Sequence, residues 1–155
     1  MSLEEVRAKN IQLVSEKALD CFTKNGIANT KVADIAKAAG LTERSVYRYF
    51  EAKSDIVIAA AFCYWNRTKE HIRRELSMHD YRDLSGIEQI SIILNSYANI
   101  LFIDPEGIRF SLDAEIALYS AGKNERVINR PPERFEEHSG PLSVAIEKGL
   151  KDGTV

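Results

Sequence analysis

Proline and glycine are confined in this sequence in a way that leaves little room for anything but helices. All four prolines lie after residue 104, and the first hundred residues hold only Gly26, Gly40 and Gly86. No run of four or more residues alternates apolar and polar between turn pairs. Apolar spacing of three and four residues recurs throughout, so the sequence predicts an all-α fold. At 155 residues the chain can bury one sizeable core or two small ones.

The punctuation also sets the helix ends. A first helix runs from Leu3 to about Lys24, with Val6, Ile11, Val14, Ala18, Cys21 and Phe22 as its buried stripe, and Asn25-Gly26 ends it with a left-handed glycine. A short second helix starts near Thr30, capped by Asn29 or Thr30, and stops at Gly40. Thr42 offers the N-cap oxygen of a third, Glu43 to about Phe50, with Glu43 in its positive first turn. A long fourth helix covers about Lys53 to Ser77. Ser85 caps a fifth to about Phe102, and Asp104-Pro105 opens a sixth that ends near Gly122. The last helix starts around Pro131-Pro132, breaks at Gly140-Pro141 and resumes through Leu142, Ala145, Ile146 and Leu150. Met1-Ser2-Leu3 reads as a cloning remnant with no role.

Composition then removes several function classes. With 45% hydrophobic and 28% charged residues, the chain is neither collagen-like, low-complexity nor disordered. The net charge of −2 gives no global basic signature, so a nucleic acid has to be met by a local patch. Residues 1–55 carry nine basic and eight acidic groups, and residues 56–155 carry twelve and fifteen, which favours the first third as the anion-facing end. Cys21 and Cys63 are too few for a disulfide framework, and Cys21 reads as a small core hydrophobe. No signal-peptide pattern opens the chain. The longest apolar stretch, Ile56 to Trp65, is ten residues where a membrane span needs about 20. The expectation is a cytoplasmic, reduced protein with no membrane segment.

The informative stretch is Thr30 to Phe50. Two short helices joined by a glycine-containing turn form a helix-turn-helix arrangement. Val32, Ile35, Ala36, Leu41, Val46 and Phe50 pack the pair together, and the small Ala36 and Ala39 permit a close crossing. Glu43, Arg44, Ser45, Tyr47, Arg48 and Tyr49 remain outside on the third helix, a set rich in phosphate donors and base-edge readers. Phe22, Gly26, Asp34-Ile35-Ala36, Ala39-Gly40-Leu41-Thr42, Val46-Tyr47, Tyr49-Phe50 and Lys53 together resemble the DNA-binding domain of the TetR (tetracycline-repressor) family. The resemblance covers residues 8–60 closely and is architectural beyond them.

That resemblance implies a role for each matched position. Thr30 and Lys31 stand where amides and short side chains hold a phosphate. Lys31 departs from the family's usual second threonine, so a point charge replaces a hydroxyl. Thr42, Glu43, Arg44 and Ser45 lie at the end of the third helix that enters the major groove. Arg44 is the foremost candidate for a bidentate guanine contact. Tyr47, Tyr49 and Lys53 match backbone-phosphate clamps, with Arg48 joining them or reading a base. Ala52 departs from the usual Ser or Asn cap. The competing reading makes Tyr47 and Tyr49 half-buried packing residues, Arg44 and Arg48 a solvated face, Glu43 a partner of the helix dipole, and Lys31 and Lys53 ordinary surface lysines.

The resemblance further implies a two-part chain. Residues 1–53 form the helix-turn-helix domain, and residues 54–155 form a helical ligand-binding and dimerisation domain. Family members continue beyond the equivalent of Gly149 to Gly153 into two further interface helices, so this chain is expected to lack its last helices. The implied function is a repressor, dimeric on a near-palindromic double-stranded operator and released by a small-molecule inducer. Among Phe62, Tyr64, Trp65, Met78, Tyr97, Phe102, Phe110 and Tyr119, the inducer candidates are Phe62, Trp65, Tyr97, Phe110 and Tyr119. Arg109, Asp113 and Glu115 are polar anchors. For each aromatic the alternative is plain core packing.

Catalysis has no constellation to rest on. His71, His79 and His138 show no metal-ligand spacing, and neither a nucleophile elbow nor a phosphate-binding glycine loop is present. No cofactor and no metal are expected. The rivals to a regulator are a helical ligand-binding or adaptor protein without DNA binding and, further off, a small helical enzyme.

Overall fold

A computed structural model of the chain describes residues 2–78, 80–120 and 140–155. Every regular element among them is helical: α1 (Leu3–Asn25), α2 (Val32–Ala38), α3 (Glu43–Tyr47), α4 (Lys53–Ser77), a 3-10 turn at Tyr81–Asp83, α5 (Gly86–Ile103), α6 (Pro105–Ser120) and α7 (Pro141–Asp152). The expected all-α architecture is therefore present, and α4 starts and stops where its sequence signals lie. The expected helix start at Pro131-Pro132 falls outside the described residues.

One device recurs at the helix starts. An acid at the third helical position reaches back to the backbone N–H of the capping residue. Ser2 N donates to Glu5 Oε2 (2.6 Å), Lys31 N to Asp34 Oδ2 (3.0 Å), Ala52 N to Asp55 Oδ2 (2.9 Å) and Ser85 N to Glu88 Oε2 (2.8 Å). Each bond satisfies an orphan donor and sets a negative charge at the positive helix end. Ser2 also accepts from Glu5 N (3.1 Å), so the expected remnant is half of a complete capping box. Asp55 supplies the cap that Ala52 lacks.

Two expected boundaries shift. The second helix begins at Val32, because the Thr30 hydroxyl donates inward to Gly26 O (2.8 Å) and Cys21 O (3.3 Å) instead of capping. The third ends at Tyr47, three residues early, because tight bonds from Arg48 N to Ser45 O (3.3 Å) and Tyr49 N to Val46 O (2.9 Å) turn the chain so that Phe50 reaches the core. Gly26 has the expected positive φ of 82°, but its ψ of 157° leads into extended chain and not into a left-handed turn.

Two compact units emerge. Of the described residues, the first holds 2–65 and 106–120, and the second holds 66–105 and 140–155. The first unit's core joins Val14, Ala18, Leu19 and Phe22 of α1 with Val32, Ile35 and Ala36 of α2, Val46, Phe50, and Ile56, Val57, Ala60 and Tyr64 of α4. Phe110, Ala114 and Leu118 of α6 complete it. Phe110 stacks on Phe22 with centroids 5.8 Å apart and meets Tyr64 edge-on at 6.4 Å. Arg109 Nη2 donates to Thr23 O (3.2 Å), tying α6 to the last turn of α1.

In the second unit, the start of α5 is bonded to the end of α7. Gly86 N donates to Asp152 Oδ2 (2.8 Å) and Ile87 N to Thr154 Oγ1 (3.1 Å). The helices touch backbone to backbone, since a Cβ on Gly86 would overlap Gly149 Cα and N. Helix α5 corrects one expectation. Gly86–Ile103 is long and apolar enough, by length and composition, to cross a membrane. Its Ser, Asn and Gln residues interrupt any apolar run, so the longest unbroken stretch lies at Ile56 to Trp65 instead.

Candidate nucleic-acid interface

The turn between α2 and α3 is fixed by backbone bonds that leave the outer face of α3 free. Gly40 has φ 67°, Leu41 N donates to Ala36 O (2.9 Å) and Gly40 N to Lys37 O (3.1 Å), which is a complete Schellman ending for α2. Thr42 Oγ1 then accepts from Ser45 N (3.1 Å) and lies 2.8 Å from Ser45 Oγ, so Thr42 caps α3 as its sequence position predicts. Val46 and Phe50 anchor the opposite side in the core.

What α3 presents outward is Glu43, Arg44, Tyr47 and Arg48, all exposed. Arg44, Tyr47 and Arg48 are spaced three and four apart and therefore share one helix face. Tyr47 is 46% exposed, which separates it from the half-buried Tyr49. Lys31 is exposed at the cap of α2. No hydrogen bond or ion pair among the described residues occupies the Glu43, Arg44, Tyr47 or Arg48 side chain. The arrangement offers two forked, permanently charged donors and a phenol to an external anion or base edge.

The other matched residues face inward or are shared. Thr30 is 1% exposed, with its hydroxyl spent on Gly26 and Cys21, so its side chain is a buried buckle between α1 and α2 and is closed to a phosphate. Lys53 Nζ donates to Ile27 O (2.6 Å), binding the start of α4 to the loop after α1. Tyr49 accepts from Asn10 Nδ2 (2.9 Å), and the Arg7 guanidinium lies 5.6 Å from its ring centroid. Neither Asn10 nor Arg7 stands out by periodicity, because both lie off the apolar stripe of α1. Burial and then the Asp20 and Asp34 carboxylates push the Cys21 thiol up, consistent with a small packing residue.

The inducer candidates are scattered. Phe110 is 2% exposed and locked between Phe22 and Tyr64, so it serves the first unit's core and lines no pocket wall; that expectation is corrected. Tyr119 is 74% exposed, Trp65 packs edge-on against Tyr64 (5.8 Å), and Phe62 is half-buried. Tyr97 belongs to the second unit. Of the anchors, Arg109 is engaged with Thr23, and Asp113 lines a cleft of about 380 Å³ with Gly26 to Asn29, Ile116 and Ala117. Glu115 is exposed. His79 and His138 lie outside the described residues.

Comparison with known proteins points to the same stretch. Residues 15–60 match the family described as bacterial regulatory proteins, tetR family. The probable HTH-type transcriptional regulator ArpR of Pseudomonas putida is 34% identical over 83 residues, covering 54% of this chain and 39% of that protein. The HTH-type transcriptional regulator TtgR, from another strain of Pseudomonas putida, matches with the same identity and coverage. The chain thus spans well under half the length of these two relatives. Among solved structures, the TetR family transcriptional regulator PfmR from Thermus thermophilus shares the fold, with a TM-score of 0.56 at 20% identity over 92% of this chain and 72% of that one.

Proposed function

We propose that this chain, a member of the tetR family of bacterial regulatory proteins through residues 15–60, is a cytoplasmic, ligand-responsive transcriptional repressor that binds duplex DNA through α3. The observation that carries the reading is the outward face of α3. Arg44, Tyr47 and Arg48 are exposed there without internal partners, on a helix whose start is rigidly capped by Thr42. A face of that composition has no internal use, and its geometry suits a helix lying in the major groove. Arg44 reads guanine by a bidentate contact, Glu43 and Ser45 stand beside it at the groove-entering end, and Lys31, Tyr47 and Arg48 take phosphates. Lys53 and Tyr49 contribute their remaining polar capacity while holding the head together.

A homodimer sets two α3 helices into successive grooves of a near-palindromic operator. A small-molecule inducer releases it by favouring a spacing that no longer matches the half-sites. In this division of labour residues 1–53 meet DNA and residues 54–155 regulate.

The test is selection of bound sites from random duplex DNA, followed by binding of Arg44→Ala to the selected site. Arg44→Ala should weaken the selected site by about 1–3 kcal/mol and relax preference at one base pair. Parental affinity and parental preference in that variant would remove α3 as the reading helix. A chain that selects no sequence and binds no DNA would be better described as a helical ligand-binding or adaptor protein.

A further inference from the structure

The first two turns of α1 and the turn that ends α3 are fastened through a single ring. Tyr49 accepts a hydrogen bond from Asn10 Nδ2 (2.9 Å), and the Arg7 guanidinium lies 5.6 Å from the same ring's centroid. Arg7 and Arg48 both line a cleft of about 260 Å³, together with Leu3, Val6 and Tyr49. No carboxylate lines that cleft, and the nearby Glu5 is already bound to Ser2 N (2.6 Å). Two guanidinium groups on one small cleft, with no acid between them, leave a positive site that an anion relieves. The stacked contact on Tyr49 holds the Arg7 plane in place, so less side-chain freedom is lost when its fork engages an oxygen.

We propose that Arg7, outside the helix-turn-helix, is a phosphate-binding residue that brackets one DNA backbone phosphate together with Arg48. This rests on the reading of α3 as the DNA-facing helix and extends that surface onto α1. Such a contact positions the protein on the duplex and carries no sequence information.

The experiment is fluorescence anisotropy of the full chain on labelled, mixed-sequence duplex DNA across a salt series. It compares the parent with Arg7→Ala, Arg7→Gln, which keeps the aliphatic stem, and Lys24→Ala, which removes one equal charge at the far end of α1. Arg7→Ala and Arg7→Gln should each bind about tenfold more weakly, with a salt slope less negative by about one. Lys24→Ala should stay near the parent. If both Arg7 variants match Lys24→Ala in affinity and slope while the parent binds DNA, the Arg7 contact is overturned and the reading of α3 stands. If the parent shows no salt-dependent binding to duplex DNA, both fall together.

Discussion

The two units hold their helices together by opposite means. In the first, large side chains interdigitate: Phe110 of α6 lies flat on Phe22 of α1 and edge-on to Tyr64 of α4, and the aliphatic residues of four helices and Phe50 close around them. In the second, α5 and α7 meet where both lack a side chain, at Gly86 and Gly149, and polar groups from the end of α7 take the first backbone donors of α5. The first kind of junction depends on apolar volume. The second depends on the absence of a Cβ and on a carboxylate. Side-chain volume is tolerant of small changes and intolerant of deletion, whereas a backbone contact is intolerant of any addition. The DNA-facing helix rests on the volume-filled unit, which suits a rigid platform for a groove-reading face.

Phe110→Ala should therefore give the largest effect. It empties the site between Phe22 and Tyr64, and a Phe→Ala deletion in a packed core costs about 3–5 kcal/mol. Denaturant unfolding measures the loss, and hydrogen exchange locates it. Amides of α1 and α6 should lose protection while those of α5 and α7 keep most of theirs. Equal loss in all four would mean that the two units unfold as one, and the contrast between them would not survive.

The same contrast explains what was legible in the sequence. The capping of α3 by Thr42, the proline start of α6 and both ends of α4 follow from local signals, because a cap or a fixed φ acts within one turn. The outward set on α3 was equally legible, since Val46 and Phe50 fix which side is buried. Partners distant along the chain were not. Nothing near Phe110 announces that it stacks on Phe22, so an aromatic on a helix reads equally as core or as pocket lining. Lys53 looks like a phosphate clamp until Ile27 O is seen to accept from it. Thr30 looks like a cap until its hydroxyl turns to Gly26. The reach-back acids Asp34 and Asp55 were recoverable, since each sits three residues after its capping position.

Gly86→Ala tests the second kind of junction directly. Its new Cβ would overlap backbone atoms of Gly149, and backbone cannot rotate aside, so α5 and α7 must part. Overpacking of this sort costs about 1–3 kcal/mol. The substitution is otherwise favourable, because alanine raises helix propensity by roughly 0.5–1 kcal/mol over glycine inside a helix. Thermal unfolding that leaves the variant as stable as the parent, or more so, would show that the two helices do not touch in solution. A loss confined to α5 and α7 amides would sharpen the contrast with Phe110→Ala.

The smallest effect belongs to the carboxylate that completes this junction, and pH reads it out. Asp152 is held below the usual aspartate value first by the Thr154 hydroxyl, which donates to Oδ1 (2.6 Å), and then by the Gly86 N–H. A carboxylate depressed in the folded state contributes stability above its ordinary value, and that contribution is lost as pH falls through the folded one. The Gly86 amide resonance should therefore move in acid with a midpoint below about 3.9, the ordinary aspartate value. Asp152→Asn should abolish that movement while leaving α1–α3 resonances in place. Glu88, depressed first by the Ser85 hydroxyl and then by the Ser85 N–H, is the internal comparison, because its titration should register at Ser85 and persist in the Asp152→Asn protein. A Gly86 midpoint at or above the ordinary value would mean that Asp152 does not cap α5, leaving the glycine contact to hold the junction alone.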